Sequence, residues 1–239
     1  MDIHLSYGDI VLTPTLVNSL IVMAVLMIFF IICGIVIRRA DPTKPSRGLM
    51  AFIELIYSSI SGFVSENVGD KAPRYIPYVL TVASYLALAN TVGLFGLTAP
   101  TTEFSISLSL VIVTLTYIMI SGIAAKGLGG YLKDTYLGDV PKSMLILFLP
   151  LNIIGELSKI ISMSFRLFGN IMSGALLLGL ISRAFATLVD LSPAVGFIAG
   201  GLFVSAMNAY FDIFAGLMQT FVFCTLMMIW IQGATEREA

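Results

Sequence analysis

The chain contains the segment Glu156-Leu-Ser-Lys-Ile-Ile-Ser-Met-Ser-Phe-Arg-Leu-Phe-Gly-Asn-Ile-Met-Ser-Gly174, in which a carboxylate, two cations and an amide interrupt an apolar run. An arginine at membrane depth costs at least about 2.5 kcal/mol on insertion scales and usually faces a bundle interior or a water-filled cavity. Arginine also stays protonated in proteins. Arg166 therefore predicts a functional face inside the membrane.

The composition around this segment is that of a membrane protein. Of the 239 residues, 58% are hydrophobic and 11% are charged, whereas soluble domains carry about 25% charged residues. The charges lie in short loops and form no basic patch that would bind nucleic acid. Cys33 and Cys224 lie in apolar runs and are interpreted as free, packed thiols. These features predict an all-α polytopic membrane protein.

Three apolar runs in the first part of the chain are long enough to cross a bilayer, which takes about 17–25 helical residues. They are residues 14–37, 75–97 and 104–125. Residues 1–13 hold acids but no Lys or Arg, unlike the basic start of a cleaved signal peptide. We therefore expect an outside tail followed by a retained first span.

Residues 48–68 mix apolar side chains with serines and glutamates. We interpret them as an amphipathic helix on the surface of the membrane or of a partner. A soluble connector helix is the alternative.

Two much longer apolar runs follow, at residues 143–189 and 193–232. As continuous helices they would be roughly 70 and 60 Å long. Splitting the first at Pro150 and Gly155 leaves a piece too short to span. We expect one integral membrane domain of five spanning helices, of which the last two form a long tilted hairpin joined near 190–193, with bends at Pro150 and Gly155.

The distribution of cations predicts the orientation. With five spans, residues 38–74, the loop 126–142 and the C-terminus share one side, which holds ten Lys and Arg, whereas the other side holds only Arg183. The positive-inside rule places the N-terminus outside and the C-terminus in the cytoplasm.

Each helix of the hairpin has a polar stripe at 100° per residue. The first stripe covers an arc of about 120° and consists of Glu156, Lys159, Ser162, Arg166, Asn170 and Ser173. The second stripe covers about 60° and consists of Ser205, Asn208, Asp212 and Gln219. A partner surface or a water-filled crevice is expected against these faces.

Structural roles are the alternative for several of these residues. Lys159 can pair with Glu156 or reach the interface. Asn170 and Gln219 can form interhelical hydrogen bonds, and Asp212 can be a satisfied core acid. Arg166 has no acid three or four residues away, so its counter-charge is expected to come from another chain.

The motif Ser164-Phe-Arg-Leu-Phe-Gly-Asn-Ile-Met-Ser-Gly174 closely resembles the core of subunit a of bacterial F-type ATP synthases. Further segments resemble other parts of that family: Tyr75-Ile-Pro-Tyr, Leu88-Ala-Asn-Thr-Val-Gly-Leu94, Pro100-Thr-Thr-Glu103, Pro150-Leu-Asn-Ile-Ile and Gln219-Thr-Phe-Val-Phe.

The resemblance implies a stator subunit of the bacterial inner membrane, beside a ring of c subunits and held by b-type peripheral stalk subunits. Two offset aqueous half-channels would carry H⁺ or Na⁺ to the buried carboxylates of the ring. Arg166 would face the ring and separate the half-channels. The chain itself would be non-catalytic and would bind no nucleotide, metal or cofactor.

The resemblance also implies roles for other residues. Asn170 and Gln219 match polar positions near the arginine, Glu156 and Lys159 would line the cytoplasmic route, and Glu103 would lie at the outer route. Ser162, Ser173 and Asn208 complete the ion-translocating faces.

Two positions depart from the family pattern. Ala175 stands where a carboxylate or histidine is common, and Asp212 stands at the position of its usual partner. The outer route is expected to rely on Asp212, with Glu103 or Asp190, and Na⁺ coupling stays open.

A secondary transporter whose Arg166 binds an anionic substrate at the membrane midplane is the alternative class. An intramembrane enzyme has little support, because His4 is the single histidine and no metal cluster or nucleophile–base pair is apparent at membrane depth. The sequence also has no G-x-x-x-x-G-K-[ST] motif, so no nucleotide site is expected in this chain.

Overall fold

The computed structural model describes residues 6–7, 10–11, 13–39, 48–137, 144–191 and 193–236, without the side chains of 6–7, 10–11, 145 and 188–199. Most of the expected outside tail, residues 40–47 of the connector, residues 138–142 of the loop, the first residue of the 143–189 run and position 192 of the expected joint lie outside the described residues.

The described chain is helical almost throughout. Its α-helices are α1 (Pro14–Arg39), α2 (Leu49–Val68), α3 (Ala72–Thr91), α4 (Phe104–Leu132), α5 (Leu145–Leu191), α6 (Pro193–Ala209) and α7 (Gly216–Thr235). The extended pairing is limited to β1 (Ser6–Tyr7) and β2 (Ile10–Val11), which are antiparallel near the N-terminus. The predicted all-helical class is confirmed.

Five helical stretches are long and apolar enough to cross a membrane. They are Pro14–Arg39, Leu49–Phe95, Phe104–Leu137, Ile146–Thr187 and Gly200–Thr235. The chain is therefore a multi-pass membrane protein, as predicted. The boundaries of each span in the bilayer and the surface position of α2 stay predictions.

Two connections differ from the sequence expectation. Helix α2 continues through the 3₁₀ turn Gly69–Lys71 directly into α3, with Gly69 at φ 57°, a left-handed conformation that glycine adopts without a steric penalty. Helix α4 continues beyond 125, with a kink at Gly127 (φ 79°) and a final π-helical turn, Lys133–Leu137. Described residues of the expected 126–142 loop are thus helical.

The hairpin helices also differ in where their regularity breaks. Pro150 and Gly155, the expected bend points, lie within the continuous helix α5. The second helix is instead interrupted between α6 and α7 by the π-helical segment Tyr210–Ala215. The tilt of the two helices stays a prediction.

The chain divides into two compact units, and α3, α4, α5 and α7 each contribute residues to both. The first unit comprises the described parts of Met1–Asp41, Val82–Ser107 and Arg166–Phe221. Its core holds the buried side chains Val22, Ala89, Val92 and Ala99, against which Leu26, Tyr85, Leu88 and Ile171 pack.

The second unit comprises the described parts of Pro42–Thr81, Leu108–Phe165 and Val222–Ala239. The rings of Tyr78 and Tyr117 stack with centroids 3.8 Å apart, and the Tyr78 hydroxyl donates to Thr114 Oγ1 at 3.2 Å. These contacts join α3 to α4 within this unit.

Candidate ion-translocation site

Arg166 lies on α5 with its side chain exposed. Within the described part of the chain it forms no hydrogen bond and no ion pair. Only 6% of an 18-residue apolar stretch within Ile146–Thr187 is buried, and Phe165, next to the arginine, is 57% exposed. A permanent cation on an uncovered apolar helix requires a counter-charge from outside these residues.

The amides of Asn170 and Gln219 join α5 to α7 within the first unit. Asn170 Nδ2 donates to Gln219 Oε1 at 3.4 Å, and Gln219 is only 5% exposed. Asn170 follows Arg166 by one helical turn, so the two side chains share a face of α5. The amide pair bonds the two helices, and the role of Asn170 and Gln219 in ion translocation stays a prediction.

A cavity of about 220 Å³ lies in the first unit and includes Asp212 in its lining; we call it the Asp212 cavity. Its polar lining residues are Thr98, Thr102, Asn170, Asn208 and Asp212. Asp212 lies on the π-helical segment, and its Oδ2 is buried without a hydrogen-bond partner in the described chain. Because a buried carboxylate oxygen without a partner is costly, the cavity is suited to water or a cation.

Ala175 also lines the Asp212 cavity. The position at which the family commonly has a carboxylate or histidine thus lines the same cavity as Asp212.

Glu103 directly precedes α4, and its carboxylate bonds to residues at the start of α1. Its Oε2 accepts hydrogen bonds from Thr13 Oγ1 at 2.9 Å and from Thr15 Oγ1. Glu103 does not line the Asp212 cavity, although its neighbour Thr102 does. The two threonines were not predicted as site residues, because nothing in the local sequence links them to a carboxylate about ninety positions away.

A buried polar network crosses the first unit close to Gln219. Asn90 Nδ2 donates to the carbonyl oxygen of Gly216 at 3.3 Å, and Asn90 Oδ1 accepts from Thr101 Oγ1 at 2.8 Å. Ser107 Oγ donates to the carbonyl oxygen of Thr101 at 3.2 Å. Asn90 belongs to the segment Leu88-Ala-Asn-Thr-Val-Gly-Leu94 that resembles the family, whereas its hydrogen-bond partners are set by tertiary packing.

A second cavity, of about 490 Å³, lies in the second unit and includes Glu156; we call it the Glu156 cavity. Its charged lining residues are Lys126, Asp134, Glu156 and Lys159. Lys159 pairs with Glu156, and its Nζ also lies 5.7 Å from the centroid of the Trp230 ring. The local pair with Glu156 that was considered for Lys159 is present, and its role in the cytoplasmic route stays a prediction.

Lys126 and Asp134 add a second ion pair to this cavity, at 2.6 Å. Lys126 Nζ also donates to the carbonyl oxygen of Gly233 at 3.3 Å, near the end of α7. Neither residue was a candidate from the sequence, because both were assigned to an aqueous loop.

The remaining candidates have simpler surroundings. Ser162 is exposed, Ser173 Oγ donates to the Asn170 carbonyl oxygen at 3.0 Å, and Asn208 is half-buried at the Asp212 cavity. No group of three or more His, Cys, Asp or Glu residues that could bind a metal occurs in the described ranges.

The fold and these contacts define a multi-pass membrane protein in which Arg166 has no partner among the described residues and two cavities have polar linings. The family model described as ATP synthase A chain matches residues 17–232. An ATP synthase subunit a of Mycoplasma pneumoniae is 28% identical over 90% of this chain and 76% of its own length. An ATP synthase subunit a 2 of Bradyrhizobium sp. strain BTAi1 is 29% identical over 95% of this chain and 91% of its own length.

A third relative is named ATP synthase subunit a, sodium ion specific, from Propionigenium modestum; it is 28% identical over 77% of this chain and 62% of its own length. The chain belongs to the ATP synthase A chain family, that of subunit a of F-type ATP synthases.

Proposed function

We propose that the chain is the stator subunit that guides H⁺ or Na⁺ to and from the carboxylates of a rotating c ring. The observation that carries this proposal is Arg166, an exposed cation without a partner among the described residues, on a helix whose apolar side chains are largely uncovered. A ring of helices with one buried carboxylate each would supply both the missing counter-charge and the missing apolar cover.

Arg166 acts electrostatically in this proposal. A permanent cation favours the ionised form of a nearby acid, so it attracts each carboxylate after its ion has left. It also repels a cation that would pass directly between the two access routes. Arginine suits this role because it stays charged and is more weakly hydrated than an ammonium. Each charge that crosses is driven by about 2.3 kcal/mol per 100 mV of membrane potential.

The two cavities provide the proposed access routes. On the outer side the ion would pass through the Asp212 cavity, where Asp212, Asn208 and Asn170 offer oxygen atoms in place of water. On the cytoplasmic side it would use the Glu156 cavity, with Glu156 and Lys159 in its lining. Glu103 would act at the entrance of the outer route through its contact with α1.

The coupling ion is H⁺ or Na⁺. Carboxylate and amide oxygens are hard ligands that can hold a small cation as well as a proton. One relative carries sodium ion specificity in its name, so Na⁺ coupling is a real option for this chain. ATP hydrolysis or synthesis would take place in other subunits.

Partners and orientation follow from the same proposal. The c ring would cover the Arg166 face of α5, and b-type peripheral stalk subunits would hold the chain in the inner membrane. The N-terminus would lie outside and the C-terminus in the cytoplasm, as the cation distribution predicts.

The test compares complexes with and without the chain. In membrane vesicles that carry the complete ATP synthase, ATP-driven ion pumping is expected to require this chain, and the purified chain alone in liposomes is expected to transport no anionic substrate. Substrate uptake by the isolated chain would favour the secondary-transporter alternative and contradict the stator proposal.

A further inference from the structure

The carboxylate of Asp212 lies directly against the backbone of Gly93, in the 3₁₀ segment Val92–Phe95 that follows α3. A Cβ atom built on Gly93 would lie 2.7 Å from both Cγ and Oδ1 of Asp212, and it would be closer still to Oδ2. Real Cβ atoms essentially never lie within 3.0 Å of such atoms. Any side chain at position 93 would therefore have to displace the carboxylate or the backbone.

The backbone conformation does not explain this glycine. The described glycines with positive φ are Gly48, Gly69, Gly96 and Gly127, and Gly93 is not among them. An alanine would suit the conformation of position 93, and the three atoms nearest to its Cβ would all belong to Asp212. What the position requires is the absence of a side chain beside the carboxylate.

The contact between Gly93 and Asp212 also lies in the lining of the Asp212 cavity. Gly93 and Asp212 both line the Asp212 cavity, together with Ala175. The Oδ2 atom pressed against Gly93 is the one that has no hydrogen-bond partner in the described chain. The position of this carboxylate in the cavity is therefore limited by the Gly93 backbone and not by a hydrogen bond to Oδ2.

We propose that Gly93 is a positioning residue for ion translocation, because its missing side chain sets where the Asp212 carboxylate stands in the outer access route. The inference rests on the proposed function of that route. With a methyl group at 93, the carboxylate would have to leave its place, and a reacting group misplaced by about 1 Å can lower a rate roughly a hundredfold.

The experiment measures ATP-driven ion pumping in vesicles that carry the whole complex, together with the amount of assembled complex. Gly93→Ala is expected to lower pumping by at least about tenfold. The control is Gly34→Ala, because Gly34 has no neighbour within 4 Å of its built Cβ; it is expected to pump like the wild type.

A second comparison separates positioning from general packing. If Gly93→Ala also lowers assembly, adding Asp212→Ala removes the conflicting carboxylate and is expected to restore assembly. Gly216→Ala conflicts instead with Asn90 Cβ, at 2.9 Å from the built Cβ, so Asp212→Ala should not rescue it. Rescue of both glycine variants, or of neither, would overturn the inference.

Full pumping by Gly93→Ala would also overturn it. Failure of the proposed function is recognised separately: in that case Arg166→Ala pumps like the wild type. If Arg166→Ala is inactive while Gly93→Ala is fully active, only the inference about Gly93 fails.

Discussion

Asn170 Nδ2 lies 3.4 Å from Gln219 Oε1, and this amide pair links α5 to α7 one helical turn from Arg166. The pair is neutral, so it provides polarity beside the arginine without supplying a counter-charge. In the proposed mechanism this neutrality matters, because Arg166 must remain free to attract a mobile carboxylate.

The first prediction is that a fixed negative charge at the amide pair stalls the motor. Gln219→Glu would place a carboxylate beside Asn170, which lies one helical turn, roughly 5 Å along α5, from Arg166. There it would compete with the ring carboxylates. ATP-driven pumping should fall by at least about tenfold, since an opposite charge at this distance stabilises the ionised pair. Gln219→Leu, which removes only the hydrogen bond, should be less damaging.

The matched control is Gln232→Glu, the same charge change on α7 at a position that bonds to Glu236. It is expected to pump like the wild type. Equal pumping by Gln219→Glu and the wild type would contradict the claim that Arg166 must have no fixed negative charge beside it.

The second prediction concerns the buried network. Thr101→Val removes the hydroxyl that donates to Asn90 Oδ1 and leaves that oxygen buried without this donor. Loss of one partner of a buried hydrogen bond costs about 1–3 kcal/mol, so the thermal stability of the detergent-solubilised complex should decrease.

Thr116→Val is the control, because Thr116 is exposed and bonds only within its own helix, to the Ile112 carbonyl oxygen. Its melting temperature should stay close to that of the wild type. If both variants melt at the same temperature, the network contributes little to stability.

The third prediction is that Asp212 supplies the titratable group of the outer route. Asp212→Asn keeps the size of the side chain and removes its charge, and pumping should fall by at least about tenfold, since a positioned proton-transfer group contributes roughly 10²–10⁴-fold. Asp70→Asn, at an exposed carboxylate in the Gly69–Lys71 turn, should leave pumping unchanged. Undiminished pumping by Asp212→Asn would move the outer route away from this residue.

The helical class and the polar faces could be predicted because both depend on local pattern. Apolar run length selects spanning helices, and residues three and four apart share a face whatever the helix packs against. The pair of Lys159 with Glu156 belongs to the same category, as one helical turn joins them.

Features that depend on packing could not be predicted in this way. The π-helical segment around Asp212 has one more residue per hydrogen-bonded turn than an α-helix, and such segments often occur at functional sites. The hydropathy of the sequence does not reveal it, because the segment lies inside an apolar run. The same holds for the contact of Gly93 with Asp212 and for the bonds of Thr13 and Thr15 to Glu103. Each joins positions that are far apart in the chain.

The most direct test of the account is ATP-driven ion pumping by vesicles whose complex carries Arg166→Ala, compared with Arg183→Ala, an exposed arginine on the same helix. Both complexes should assemble, as judged by co-purification with the c ring. The account predicts no pumping above background for Arg166→Ala and wild-type pumping for Arg183→Ala. Coupled pumping at the wild-type rate by Arg166→Ala would contradict it.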